Sequence, residues 1–346
     1  MPADQTMPLE TVRDRAGAKP AVAGRRSLEF VVPVYNEAAS IPALLRELAD
    51  LARDLAANRQ LEVSATLVDD GSDDGSAEII VANAQADLPV QLVSLSRNFG
   101  KEAAIMAGLD ASGADAVVIM DADLQHPHDM VERFVASWLD DGYDVVYAYQ
   151  AERIGDSAAR RMMSRLFYLI INGANRVRIP PNATDFRLIT RRVADAILSL
   201  PERERFMKGI YAWVGFRQAG IPYTPNERMH GDSKWSRFRL VDLGIDGITS
   251  FTIMPLRIIG LIGLVAALLS ICLGLVILVQ KIFFGIAVPG FAATIVVVTI
   301  LGSVQLIAIS ALGEYIGRIV IETKQRPLFV VKDVIQVTPA DDGAEG

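Results

Sequence analysis

Two aspartates one residue apart, Asp121 and Asp123, follow directly on the apolar run Ala116-Val117-Val118-Ile119-Met120. Carboxylates spaced i, i+2 at the end of a strand can cooperate on one hard cation, and Mg2+ or Mn2+ draws its oxygen ligands from protein and substrate phosphates together. The amide oxygen of Gln125 is a third candidate ligand. Alone, such a pair is more often a loop cap than a metal site, so its meaning depends on what surrounds it. Two more polar clusters sit in the same way at the ends of β-rich runs: Tyr35-Asn36-Glu37 and Asp69-Asp70-Gly71-Ser72. Other chemistry-bearing residues lead less far. His126 and His128 flank a turn-making Pro127 with no third ligand of matching type nearby, which argues against zinc. Asp73-Asp74-Gly75-Ser76 lacks the spaced glutamate of a calcium loop and reads as a turn and helix cap. The single cysteine, Cys272, lies in an apolar run, which excludes a disulfide framework or thiolate metal site within the chain and suits a reducing setting.

The elements that must position these residues alternate. From Leu28, short β-rich runs (LEFVVPVY, LEVSATLVDD, PVQLVSLS, ADAVVIMDAD) alternate with longer helical ones (IPALLRELADLARDLA, SAEIIVANAQA, KEAAIMAGLDAS). That is the signature of βαβ units and predicts a doubly wound, mainly parallel, Rossmann-like sheet. In open α/β sheets ligands bind beyond the carboxyl ends of the strands, so the three polar clusters are expected to face one crevice.

The C-terminal third has a different character. Of the 346 residues 51% are hydrophobic, and the excess is concentrated between Ile258 and Gly313, where Lys281 is the one charge. Residues 258–280 are an uncharged stretch of 23, about 35 Å as a helix at ~1.5 Å per residue, enough for a hydrocarbon core of roughly 30 Å. A turn at Val288-Pro289-Gly290 and a second stretch, 291–312, predict a transmembrane hairpin with both flanks on one side of the bilayer. Arg239 and Arg257 before it, and Arg318, Lys324 and Arg326 after it, place that side in the cytoplasm by the positive-inside rule. The expected organisation is therefore a disordered tail (1–26), a cytoplasmic catalytic domain (27–232), an interfacial segment (233–257), the hairpin (258–313) and a cytoplasmic tail (314–346). In that tail Leu328-Phe329-Val330-Val331 reads as a short strand that would pair with a neighbouring subunit of a homo-oligomer. The amphipathic stretch 157–178 suits a core helix or an interfacial one, and Lys234-Trp235-Ser236-Arg237-Phe238-Arg239 suits an interface belt. The net charge of −7 argues against nucleic acid as the main partner.

Taken in order, VVPVYNEAASI, LVDDGSDDGS, SRNFGKEAAIMAGLDAS and VVIMDADLQHP resemble the family 2 glycosyltransferases of the GT-A fold. DFRLITR, ERERFMKGIYAWVGF, RMHGDSKWS and DGITSFTIMPLR, with the two apolar spans, are similar to the polyprenyl-phosphate hexosyltransferases of that family, and most to bactoprenol glucosyltransferases. The resemblance covers about residues 28–331. It implies an inverting transfer of a hexose, glucose from UDP-glucose on this branch, to undecaprenyl phosphate at the inner membrane, for cell-envelope glycosylation. Mannosyl or N-acetylhexosaminyl transfer and an inactive scaffold of the same fold are the alternatives.

Carried over by matching motif, the resemblance implies that Pro33, Tyr35 and Glu37 hold the base and ribose, and that a member of the Asp69-Asp70 pair accepts a hydrogen bond from the base. Asp121 and Asp123, completed by Gln125, match the site for Mg2+ or Mn2+ and the diphosphate. Asp185 matches an acidic position at the acceptor, as base or as orienting group. Arg160 and Ser164 match an acceptor-phosphate site, while Arg228, Ser233 and Lys234 match a basic loop over the phosphates.

Overall fold

The computed structural model describes residues 25–124, 126–150, 179–180, 182–203, 205–224, 254–284 and 290–337. They fall into two compact units, one holding a mixed sheet and the other two long helices.

The first unit begins with β1 (Ser27–Val34), α1 (Ile41–Arg59), β2 (Glu62–Asp69), α2 (Ser76–Ala82), β3 (Val90–Leu95), α3 (Lys101–Ala111), β4 (Ala116–Ile119) and α4 (His128–Leu139). It continues with β5 (Val145–Gln150), β6 (Ala183–Thr190), α5 (Arg191–Leu198), α6 (Met207–Trp213) and β7 (Gln218–Tyr223). The helices α7 (Met254–Phe284) and α8 (Phe291–Thr323) form the second unit, after which β8 (Val331–Val337) returns to the first.

The strand order is β7-β5-β6-β4-β1-β2-β3-β8. β1 pairs in parallel with β2 and β4, and β2 with β3, which is the doubly wound half the alternation predicts. β6 runs antiparallel between β4 and β5, and β5 pairs in parallel with β7.

Both faces of the parallel half are covered, so β1 and β4 are nearly continuous apolar runs. On one face Ile41, Leu44, Leu45, Leu48 and Leu55 repeat at helical spacing along α1 and pack with Leu28, Phe30, Val32 and Phe134. On the other, Ala104 and Ala107 of α3 meet Val68 and Val93. A Cβ on Gly108 would lie 2.4 Å from Val31 Cγ1, so the missing side chain lets α3 seat against the sheet. That approach fixes where the first residue of α3 points, which matters for the site.

β8 differs from the expected short strand. It lies further along the chain, and it pairs antiparallel with β3 of the same chain, from Val90↔Val337 to Leu95↔Val331. The Ser96 N–H extends the ladder to the Val330 carbonyl at 2.9 Å, and Phe329 and Val334 pack on the core beneath.

The second unit is a pair of apolar helices packed on each other. Both contain a span long and apolar enough to cross a membrane, Ile258–Val276 and Val297–Thr323. Neither is a covered core helix: Leu269 of α7 is 66% exposed, Phe283 of α7 76% and Leu306 of α8 69%. Surface of this kind is the mark of contact with lipid or another apolar partner. Both helices outrun the apolar windows of the sequence, α7 starting at Met254 and α8 continuing to Thr323. In α8 the continuation carries charge on an i, i+4 pair, Glu314 and Arg318 at 3.0 Å.

Candidate active site

The carboxyl ends of β1, β2 and β4 are neighbours, and the three polar clusters sit there. The loop after β1 is tied to the loop after β2 by hydrogen bonds. Asn36 N–H donates to Ser72 Oγ at 3.0 Å, Glu37 N–H to Ser76 Oγ at 3.1 Å, and Ala38 N–H to Asp74 Oδ2 at 3.0 Å. Pro33 lies in β1 opposite Val68, Tyr35 is 47% exposed at the rim, and Glu37 Oε2 accepts from Ser40 Oγ. Asp74 accepts the Ser76 N–H that opens α2, as the turn-and-cap reading expects.

Asp69 and Asp70 are both buried but do different things. Asp69 accepts the Ser72 N–H at 3.1 Å, closing the turn at Gly71, whose φ of +69° favours glycine. Asp70 receives the N–H groups of Phe99 at 2.7 Å and Gly100 at 2.8 Å on its two oxygens. Burial raises its pKa, against the pull of those two N–H groups. It thereby holds the loop that leads into α3 and places Lys101.

Lys101 is the residue sequence reasoning did not single out. Its Nζ lies 2.6 Å from Asp121 Oδ1 and 3.0 Å from Asp185 Oδ2, bridging the carboxylate after β4 and the one in β6. β4 and β6 are antiparallel neighbours paired up to Ile119↔Arg187, so Asp121 and Asp185 both fall two residues beyond that pair. Like charges so placed across two strands repel, and the ammonium between them relieves the repulsion. Burial opposes the lysine's charge, but Asp185 and Asp121 outweigh it and hold its pKa above the ordinary value. Burial likewise works against an ionised Asp185, yet Lys101, Lys208 and Arg187 hold its carboxyl well below the usual range. The buried Arg187 guanidinium stacks on Tyr211 at 3.6 Å and donates to the backbone carbonyls of Thr184 and Asp185, fixing the peptide that carries the aspartate.

His126 sits under the turn that follows β4. Its Nε2 accepts the Asp121 N–H at 3.3 Å, and its ring stacks on Phe186 of β6 at 4.1 Å. Burial keeps its pKa below the ordinary histidine value against the pull of Asp121 and Asp123, which keeps the ring neutral and able to accept. The histidine is thus a support for the aspartate pair. Among the described residues no three His, Cys, Asp or Glu side chains gather as a metal cluster. Two carboxylates with oxygen donors only are nonetheless the set that suits a hard cation sharing its shell with substrate phosphates.

Beside Lys101, Glu102 accepts the Met207 N–H at 3.3 Å. Burial pushes its pKa up to about 7; the Met207 N–H opposes this and Asp185 adds to it. A carboxyl raised in the folded state stabilises the fold below its unfolded pKa, and that stability is lost as pH rises through about 7. Glu102→Gln, which copies the neutral form, is therefore expected to match the wild type in thermal stability at about pH 4 and exceed it at pH 8. A wild type equal or superior at pH 8 would contradict the raised pKa.

Gln125, Arg160, Ser164, Arg228, Ser233 and Lys234 lie outside the described residues, as do the 157–178 stretch and the aromatic-basic segment 234–239.

Comparison with known proteins reaches the same elements. Residues 29–198 match the model of Glycosyl transferase family 2. An uncharacterized glycosyltransferase of Synechocystis sp. is 38% identical over 307 residues, covering 89% of this chain and 95% of its own. The prophage bactoprenol glucosyl transferase homolog of Escherichia coli (strain K12) is 39% identical, covering 89% of this chain and 99% of its own. The bactoprenol glucosyl transferase of Shigella phage SfX is 40% identical, with coverages of 88% and 98%.

Proposed function

Because this chain belongs to Glycosyl transferase family 2, we propose that it moves glucose from UDP-glucose onto the phosphate of a long polyprenyl lipid, at the cytoplasmic face of the inner membrane. The observation that carries the acceptor is the relatives named bactoprenol glucosyl transferase, which align over 305 or more of the 346 residues, a span too long to omit the apolar hairpin. A lipid acceptor and a pair of exposed apolar helices belong together: the acceptor stays in the bilayer, and so must the enzyme that meets it.

The chemistry is a single displacement. An oxygen of the lipid phosphate attacks the anomeric carbon, the bond from that carbon to the donor diphosphate breaks, and its electron pair leaves on the β-phosphate oxygen. No protein nucleophile intervenes, so configuration inverts. The acceptor phosphate is already ionised at neutral pH, and no proton need be removed from the attacking oxygen. Asp185, held ionised beside Lys101, serves as an orienting group rather than as a base. Asp121 and Asp123 would hold Mg2+ or Mn2+, which when bound neutralises charge on the leaving diphosphate. Asp70 gives both oxygens to the loop before α3, whereas Asp69 gives Oδ1 to the Ser72 N–H, so Asp69 with its Oδ2 is the member of the pair assigned to read the base. Arg160 and Ser164 would receive the lipid phosphate; Arg228, Ser233 and Lys234 would close over the diphosphate, adding cations where charge develops.

The test is a panel of UDP- and GDP-sugars offered with undecaprenyl phosphate and Mg2+, reading free nucleotide and lipid-linked sugar. UDP-glucose is expected to give the highest turnover. Absence of lipid-linked sugar with every donor would overturn the assignment.

A further inference from the structure

Lys101 breaks a local rule. It is the first residue of α3, where the helix dipole favours anions and disfavours cations, so helix stability gives no reason for a lysine there. The surrounding structure nevertheless fixes it closely. Gly100 precedes it at φ +99°, a conformation other residues rarely adopt, and the Gly100 N–H is held by Asp70. Gly108 seats the helix against Val31. The side chain then reaches Asp121 on one side and Asp185 on the other.

An ammonium has three N–H donors, and two are committed to these carboxylates. The cluster is not sealed: the side chains of Lys101, Asp121 and Asp185 are 40%, 37% and 30% exposed. A charged donor is thus held at the carboxyl ends of the strands with, among the described residues, one N–H left for a ligand in the crevice. The ligand chemistry that fits a fixed ammonium is an anionic oxygen.

We propose that Lys101 is a catalytic cation of the transfer, binding through its third N–H a phosphate oxygen of the donor diphosphate or of the lipid phosphate. Asp121 and Asp185 aim it from the two sides. The proposal rests on the polyprenyl-phosphate reading above. A competing structural role is clear: the lysine would do no more than separate two carboxylates.

The experiment compares Lys101→Met and Lys101→Arg with the wild type. Three quantities are read: UDP affinity by titration without acceptor, the KM for undecaprenyl phosphate, and kcat. Lys101→Met is expected to lower kcat by about 100-fold or more, and Lys101→Arg, which keeps a cation, to stay within about tenfold. Weaker UDP binding assigns the contact to the donor, and a raised acceptor KM assigns it to the lipid phosphate. Lys101→Met combined with Asp185→Asn separates binding from spacing, because that background has no second charge to be kept apart. The double variant should remain at least tenfold below Asp185→Asn alone; equal activity would reduce Lys101 to a spacer and overturn the proposal. Unchanged UDP affinity, acceptor KM and kcat in Lys101→Met would overturn it as well. A wild-type enzyme that binds UDP yet makes no lipid-linked sugar would sink the functional reading instead, and the UDP titration would still decide the lysine's contact with the donor.

Discussion

Replacing Asp123 with alanine is expected to silence sugar transfer while leaving the sheet intact. The residue lies beyond the end of β4, outside the packed core, so its loss removes a carboxylate from the crevice and little apolar contact. A bound divalent cation is worth several kcal/mol of charge stabilisation, and each 1.36 kcal/mol is tenfold in rate, so a loss of about 10²–10⁴-fold follows. Removing Asp121 would in addition release Lys101 from one of its two carboxylates. The measurements are initial rates of UDP release, the thermal midpoint, and Mn2+ binding followed by electron paramagnetic resonance. EDTA should silence the wild type and Mn2+ restore it. Full activity of Asp123→Ala at ordinary Mg2+ would remove the metal role.

Asp185→Asn should cost about 10–100-fold in kcat, the equivalent of one charge-assisted hydrogen bond of about 1.5–3 kcal/mol. Lys101 would keep only Asp121 as an anchor, and Arg187 and Lys208 would lose a counter-charge. The shape of the pH–rate profile should survive, since a carboxyl whose pKa is held well below the ordinary range is ionised throughout pH 5–8 and contributes no limb there. A limb present in the wild type and missing from Asp185→Asn would make Asp185 the base after all. Stability follows the same sign. A depressed carboxyl pKa stabilises the fold above the unfolded value of about 3.9, and that contribution is lost only as pH falls through the folded value. The deficit in thermal midpoint of Asp185→Asn should accordingly shrink in acid, and it should also narrow toward pH 8, because Glu102, whose pKa Asp185 helps to raise, ionises more readily in the variant.

The parallel half of the fold was legible because its signals are local. Apolar runs of strand length, the i, i+3, i+4 spacing of α1 and polar residues at three strand ends can all be read in windows of a dozen residues. The junction at Lys101 could not be read that way. It joins residues 84 apart, and it exists because β6 enters antiparallel beside β4 instead of continuing the parallel order. The sequence around His126 offers no third ligand of matching type for zinc and no other role for the ring. Its role as acceptor for the Asp121 N–H depends on Phe186, 60 positions away, beneath the ring. The helices α7 and α8 are longer than the apolar stretches because hydropathy reports where apolar residues stop, whereas a helix continues as long as its backbone and i, i+4 pairs allow. β8 was displaced for a related reason. Val331, Val334 and Val337 face inward amid Lys332, Asp333 and Gln336, a half-buried edge pattern weaker than the Leu328-Phe329-Val330-Val331 run before it.

The position of β8 sets an order on biosynthesis. Strands β1 to β7 are made before the two apolar helices, and β8 is made after both. Until then the open edge of β3 presents its N–H and C=O groups to any strand it meets. The sheet that carries Asp121 and Asp185 thus closes only after α7 and α8 have left the ribosome, and if the two helices cross a bilayer as proposed, β7 and β8, as members of one sheet, must end on the same side of it. On that proposed reading, a chain whose hairpin crosses once instead of twice would strand β8 across the membrane from its partner, and correct insertion would be a precondition for a closed sheet edge.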